Sequence, residues 1–199
     1  MIINIQNKTQ VERDFAYLTD AIANGTHTQI FNEGEIIEIV GIEHVIIGMD
    51  VEPGFVHSMT IQRRNKVDDH VFAYNGRADY ETSDIRSFLD GTYMTEFPEE
   101  FLEAVSPVTI DGMKTEDRFF LLSSSDLDPE TTKYPYYRKR ENRIKIDREG
   151  YLTWWWLRDP TTGYSSTPRN CNTSGYVYGS YGGATNTYGV APACILGNR

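Results

Sequence analysis

Cysteine is scarce: Cys171 and Cys194 are the only two in 199 residues. That is too few for a disulfide scaffold, so two reduced thiols are the default, with one bond pinning a C-terminal loop to the last strand as the alternative. Long apolar runs are missing as well, and nothing approaches the roughly 18 residues of a membrane span. The opening residues, MIINIQNKTQVERDF, lack a basic patch followed by an apolar one. No signal peptide is read there, and a cytoplasmic or virion location is expected. Positive charge is also short. Lys and Arg number 19 against 29 Asp and Glu, a net charge of −10. That balance argues against nucleic acid or anionic membranes as partners.

Familiar chemical signatures are absent too. There is no GxSxG, P-loop or dinucleotide fingerprint. His27, His44, His57 and His70 stand singly, with no Cys, His or acid at a metal-ligand spacing. Asp126, Asp128 and Glu130 alternate in a turn but lack the EF-hand pattern. No metal and no cofactor are expected. Asp68-Asp69-His70 reads as a solvated loop. Cys171 has no base near it in sequence, so it does not read as a nucleophile.

What is present favours an α+β chain. Residues 8–24 predict a helix, with Val11, Phe15, Leu18 and Ile22 on a narrow seam. Such a seam packs on its own domain or on a second copy of itself. Residues 34–62 predict a meander of two or three antiparallel strands, broken at Gly41 and at Glu52-Pro53-Gly54. A short strand is expected near Val71–Tyr74. Two short helices follow, SDIRSFLDG with Ser83 as cap and Gly91 as stop, and FPEEFLEAV with acids at its positive end. FFLLSSSDL at 119–127 reads as a strand entering a turn, and the charged residues 128–149 as a surface insertion. The last strand, Val190–Leu196, is expected to pair near Ile36–Val40. Strands and helices segregated in this way indicate α+β architecture.

The stretch from Trp154 to Leu196 differs from the rest. Three tryptophans run together, and then ordinary acids and bases nearly vanish, leaving Arg169 among Gly, Ser, Thr, Asn and Tyr. Alternation puts Trp154 and Trp156 on one strand face and Trp155 on the other. They read as a hydrophobic floor, with Trp155 or the pair as a stacking platform for a sugar ring as the sharper alternative. Beyond them, tyrosine offers large contact area at low entropic cost. The candidate ligand-binding residues are Tyr164, Ser166, Arg169, Asn170, Asn172, Tyr176, Tyr178, Tyr181, Asn186 and Tyr188. In SGYVYGS, Tyr176 and Tyr178 share a face and Val177 turns inward.

WWWLRDP, the SGYVYGS hairpin and YGVAPACIL, with ETSDIRSFLDGTYMTEF and RFFLLSSSDL upstream, resemble a bacterial and phage domain family. Its closing segments run W-W-L-R-S-P … G … G-V-R-P-A. This sequence departs from it with Asp159 for Ser and Ala191 for Arg. The resemblance covers about residues 33–197 and implies a C-type-lectin-like fold. The fold is shared with variable proteins of diversity-generating retroelements, such as a phage major tropism determinant, and with the formylglycine-generating enzyme. Cys171 and Cys194 are too far apart to match that enzyme's cysteine pair. The calcium motifs Glu-Pro-Asn and Trp-Asn-Asp are missing. Adenine-directed diversification yields Asn, Ser, Thr, Tyr and Gly codons, and residues 161–188 are crowded with those types.

The helical seam makes 1–27 a segment that can serve oligomerisation, and the resemblance implies a C-type-lectin-like domain at 28–199. It implies a noncatalytic module that binds a protein or glycan on a target cell surface; the helical seam adds a homo-oligomer, and the acidic balance and lack of a long apolar run argue against nucleic acid and membrane insertion. The alternative is a structural virion module that uses the same fold for assembly.

Overall fold

β-Branched residues after Gly34 build the first sheet, and both of its faces are apolar. The computed structural model describes residues 2–3, 5–6, 13–179 and 182–198. In chain order its principal elements are β1 (Ile5–Gln6), α1 (Phe15–Ala23), β2 (Ile36–Ile39), β3 (Ile42–Met49), β4 (His57–Arg63), β5 (Asp69–Val71), α2 (Asp84–Asp90), α3 (Glu99–Ala104), β6 (Trp155–Pro160), β7 (Pro168–Cys171), β8 (Val177–Tyr178), β9 (Thr187–Gly189) and β10 (Ala193–Asn198). The chain is mixed α and β, with mostly antiparallel sheets and few short helices.

The first sheet has the order β10-β4-β3-β2-β1, antiparallel throughout. Val40 and Gly41 join β2 to β3 with φ of +48° and +81°, a two-residue hairpin turn whose backbone suits the strand twist. Alternate residues of the sheet feed two cores. Ile37, Ile39, Ile46, Met59, Ile61, Cys194 and Leu196 face one, together with residues of α1, α2 and α3. Val45, Ile47, Ala193 and Ile195 face the other. A sheet covered on both sides has near-continuous apolar strands, which is how IEHVIIGM reads. The second sheet has the order β8-β7-β6-β9-β5, and β6 and β9 form its parallel pair.

The three-stranded meander at 34–62 and both short helices form as expected. Ser83 Oγ accepts from Arg86 N at 3.2 Å to cap α2. Other expectations are corrected. The described helix runs from Phe15 to Ala23, and Arg13–Asp14 pairs as a short strand with Ile2–Ile3; Val11 lies outside the described residues. Phe15, Leu18 and Ile22 are buried in the chain's own core, so the seam packs inward. β10 pairs with β4 over Ala193–Asn198, at the edge of the meander opposite β2. Arg63 N donates to Pro192 O at 2.8 Å where the two strands meet. Phe119–Leu122 is an extended run joined to β10 at the single bridge Phe120↔Ala193. The charged stretch 128–149 is no mere surface addition, because Tyr134, Tyr137, Arg143 and Lys145 are buried in it.

Candidate ligand-binding face

β6 supplies the floor that the composition predicts. Trp155 and Trp156 point to opposite cores and are fully buried. Their indole nitrogens donate to Arg143 O at 2.9 Å and His70 O at 2.8 Å. A buried indole needs such a partner, and both have one. Trp155 is therefore excluded as a stacking platform. Trp154 is the tryptophan left half-buried, on the side of Trp156 as strand alternation requires.

Tyr188 on β9 joins the two. Its ring lies 5.7 Å from that of Trp154 at an interplanar angle of 23°, and 4.6 Å from that of Trp156. Tyr178 on β8 lies 6.0 Å from Trp154 on the other side. The result is a row Tyr178–Trp154–Tyr188, half-buried and braced by Trp156 beneath. Parallel pairing fixes its spacing: Gly189 N donates to Trp154 O at 2.9 Å. Gly182 has φ +93°, and a Cβ there would fall 2.6 Å from the Tyr188 ring, so the loop backbone lies against that ring.

The other candidates divide. Tyr164 is 64% exposed and Tyr176 47%; Ser166 and Asn186 are also exposed. The Tyr176 ring lies under the Arg140 guanidinium at 4.4 Å, and Arg140 Nη1 donates to its hydroxyl. Val177 packs inward against the second core, as alternation predicts. Arg169 is half-buried and pairs with Asp159 Oδ2 at 3.3 Å, while Asp159 also accepts from Ser124 N at 2.6 Å. The departure at Asp159 thus holds the one charge of the stretch in place. Asn170 and Asn172 are corrected. Asn170 is wholly buried, on β7 between β6 and β8. Asn172 Oδ1 accepts from Ser174 N at 3.0 Å and Tyr176 N at 2.9 Å, shaping the β7–β8 turn. Tyr181 lies outside the described residues.

Sequence reasoning missed two contributors, whereas Trp154, read as floor or as half of a stacking pair with Trp156, is the centre of the aromatic row. Arg140 comes from the charged stretch 128–149, where no local signal ties it to Tyr176. Tyr74, 75% exposed, sits on a loop that borders the face: Ala73 N donates to Ala184 O at 2.9 Å and Ala78 N to Ser165 O at 2.8 Å. Its neighbours Asn75-Gly76 mark a turn, which was the available signal.

Elsewhere, a cleft of about 430 Å³ opens between the Glu52–Phe55 turn and Arg158. Its charges are already matched. Arg158 holds Asp111 at 2.6 Å and Asp126 at 2.9 Å, and Lys133 holds Glu52 at 2.7 Å. Asp126 is thus tied up internally, as is Asp128, whose Oδ1 accepts from Glu130 N at 2.9 Å. Both cysteines are free and buried, one in each core. Burial pushes the Cys171 thiol up to about 12, so it holds its proton at neutral pH and offers no thiolate. Away from the face, the fold also gathers His27, Asp50 and His57, which sequence spacing kept apart. Among the described residues no helix is long and apolar enough to cross a membrane.

No curated protein and no solved structure matches the chain. The model of one family, a domain of unknown function designated DUF6273, matches residues 56–198 and so takes in α2, α3, the whole of the second sheet and β10. That span is most of the chain, and the protein belongs to the DUF6273 family.

Proposed function

We propose that the protein is a noncatalytic ligand-binding module of C-type-lectin-like fold, displaying its site on the second sheet and the loops beyond it. The observation that carries this reading is the row Tyr178–Trp154–Tyr188, held at the surface over a buried tryptophan. Around it stand exposed Tyr164, Tyr176, Ser166 and Asn186. Rigid rings with small hydrogen-bonding neighbours suit recognition of a protein or of a sugar ring. Few charges occur there, and Arg169 and Arg140 are already engaged. The ligand in this reading is a protein or glycan on a target cell surface, and the setting is a phage or prophage. The loop between β7 and β9 carries residues of the types that retroelement diversification produces, so relatives would vary there over a constant frame. Association of several chains would add avidity to weak single sites.

The reading is tested by binding to an array of bacterial surface glycans and to whole-cell surface proteins. Trp154→Ala combined with Tyr188→Ala is expected to abolish binding, and Tyr164→Ala with Tyr176→Ala to weaken it about tenfold or more. Full binding by both pairs, with the circular dichroism of the parent, would overturn the site. A protein that recognises only its own virion neighbours would favour the assembly role instead.

A further inference from the structure

Three side chains far apart in sequence meet at one end of the first sheet. His27 begins a single helical turn, His27–Ile30, just after α1. Asp50 follows β3 in a left-handed backbone conformation, φ +54°. His57 opens β4. The β3–β4 connection brings the last two together: Asp50 N donates to Ser58 O at 2.8 Å, and Asp50 Oδ1 accepts from Ser58 N at 2.9 Å. The end of α1 turns back through Thr26 N, which donates to Ala21 O at 2.9 Å, and lays His27 over them. His27 Nε2 then lies 3.1 Å from Asp50 Oδ1, and His57 Nδ1 lies 3.6 Å from it. All three ligand atoms fall within 4.8 Å of one another.

His27 is fully buried; its Nδ1 has no hydrogen-bond partner among the described residues, and its Nε2 has only the Asp50 contact, whose geometry is not that of a hydrogen bond. The same holds for Nδ1 of His57. Unpaired polar atoms in the interior are costly and call for a partner. A tetrahedral cation with ligands at about 2.0–2.1 Å holds its donors roughly 3.4 Å apart. The two distances to Asp50 bracket that value. The third edge, between the two imidazole nitrogens, stays within 4.8 Å, and the His57 ring that forms it is about one-third exposed. Gly25 makes room for that ring: a Cβ there would fall 2.5 Å from His57 Nε2.

We propose that His27, Asp50 and His57 form a binding site for a divalent transition cation of the zinc class, held by two imidazole nitrogens and one carboxylate oxygen. Imidazole with carboxylate suits such ions better than calcium or magnesium, which prefer all-oxygen shells. Asp50 and His57 are each about one-third exposed, so the cation enters from solvent and keeps a coordination position open to water. It would staple the turn after α1 to the β3–β4 connection. His27 and Asp50 precede the first residue matched by the family model, and His57 falls inside it. The site therefore fastens the preceding segment to the family domain.

The test uses the full chain, tag-free and stripped by chelator, titrated with Zn²⁺ alone by calorimetry and by thermal unfolding. One Zn²⁺ per chain and a zinc-dependent rise in Tm are expected. Asp50→Asn and His57→Ala are each expected to weaken binding about 100-fold or more while keeping the circular dichroism of the parent. Because both side chains reach solvent, neither variant depends on refilling the core at His27. No stoichiometric uptake, or equal affinity in both variants, would overturn the site. So would a Tm of the stripped parent that does not move on adding Zn²⁺.

Discussion

Residues 128–149 and 161–188 are both polar and tyrosine-bearing, yet the first stretch buries Tyr134 and Tyr137 fully, while the second leaves Tyr164 and Tyr176 exposed and Tyr178 and Tyr188 half-buried. The difference lies in what waits beneath. Under 128–149, the first sheet and the turn after β3 offer acceptors. Tyr134 donates to Glu52 Oε1 at 2.7 Å, and Tyr137 donates to the Gln62 side chain. Each ring can therefore leave water without abandoning its hydroxyl. Under 161–188, the Trp155–Trp156 floor has filled both cores, and its indole donors are already spent on Arg143 and His70. Tyr188 packs partway onto that floor, and Tyr164 and Tyr176 stay exposed. Density of charge was a poor guide to burial, and the supply of hydroxyl partners was the better one.

Truncating rings from both stretches tests this contrast most sharply. Tyr137→Ala removes a fully buried ring and strands Gln62, and a loss of about 3–5 kcal/mol is expected. Tyr176→Ala removes a partly exposed ring and one cation–π contact with Arg140, and a loss of about 1 kcal/mol or less is expected. Urea unfolding monitored by tryptophan fluorescence measures both. Similar losses for the two variants would break the contrast.

A second, smaller effect separates the stretches by pH. Lys145 closes the inward stretch. Its ammonium donates to Arg63 O at 3.0 Å and lies 5.5 Å from the Trp155 ring centroid. Burial lowers its pKa to about 7. Between that value and the ordinary lysine range, the unfolded chain carries a proton that the folded chain lacks. Stability therefore rises with pH across this window. Above about pH 8.5 the two buried thiols, whose pKa values burial raises, begin to act in the opposite sense. Denaturant midpoints are thus expected to climb between pH 7 and 8.5, and Lys145→Met is expected to flatten that climb. An unchanged slope in Lys145→Met would remove Lys145 as its source.

The sequence made the local elements legible where the pattern was local. Ser83 and Gly91 bound α2 as read, and the runs after Gly34 became β2, β3 and β4. Pairings set by distant partners were not legible. β10 was expected beside β2, but the far edge at β4 was open, and nothing in GVAPACIL distinguishes the two edges. At the face, composition located the exposed tyrosines but could not sort asparagines. Asn170 is wholly buried on β7, a face assignment that composition does not carry, and Asn172 is used by its own turn. Trp154 was hard for a related reason. Alternation put it with Trp156, but its half-exposure depends on Tyr178 and Tyr188 arriving from strands that close later in the chain.

The smallest expected stability effect lies at the rim of the face. The Tyr164 ring is 64% exposed, and the turn under it is held by backbone bonds, with Tyr164 N donating to Thr161 O at 2.9 Å and Thr161 N to Thr167 O at 2.8 Å. Tyr164→Ser keeps both bonds and removes only the ring. Its unfolding free energy is expected to stay within about 0.5 kcal/mol of the parent, while affinity for a surface ligand falls. A variant that unfolds markedly more easily would mean that the ring packs as part of the frame. The outward set of rings would then shrink to Tyr176 and the Tyr178–Trp154–Tyr188 row. The contrast with the inward stretch would rest on the strand-borne row alone.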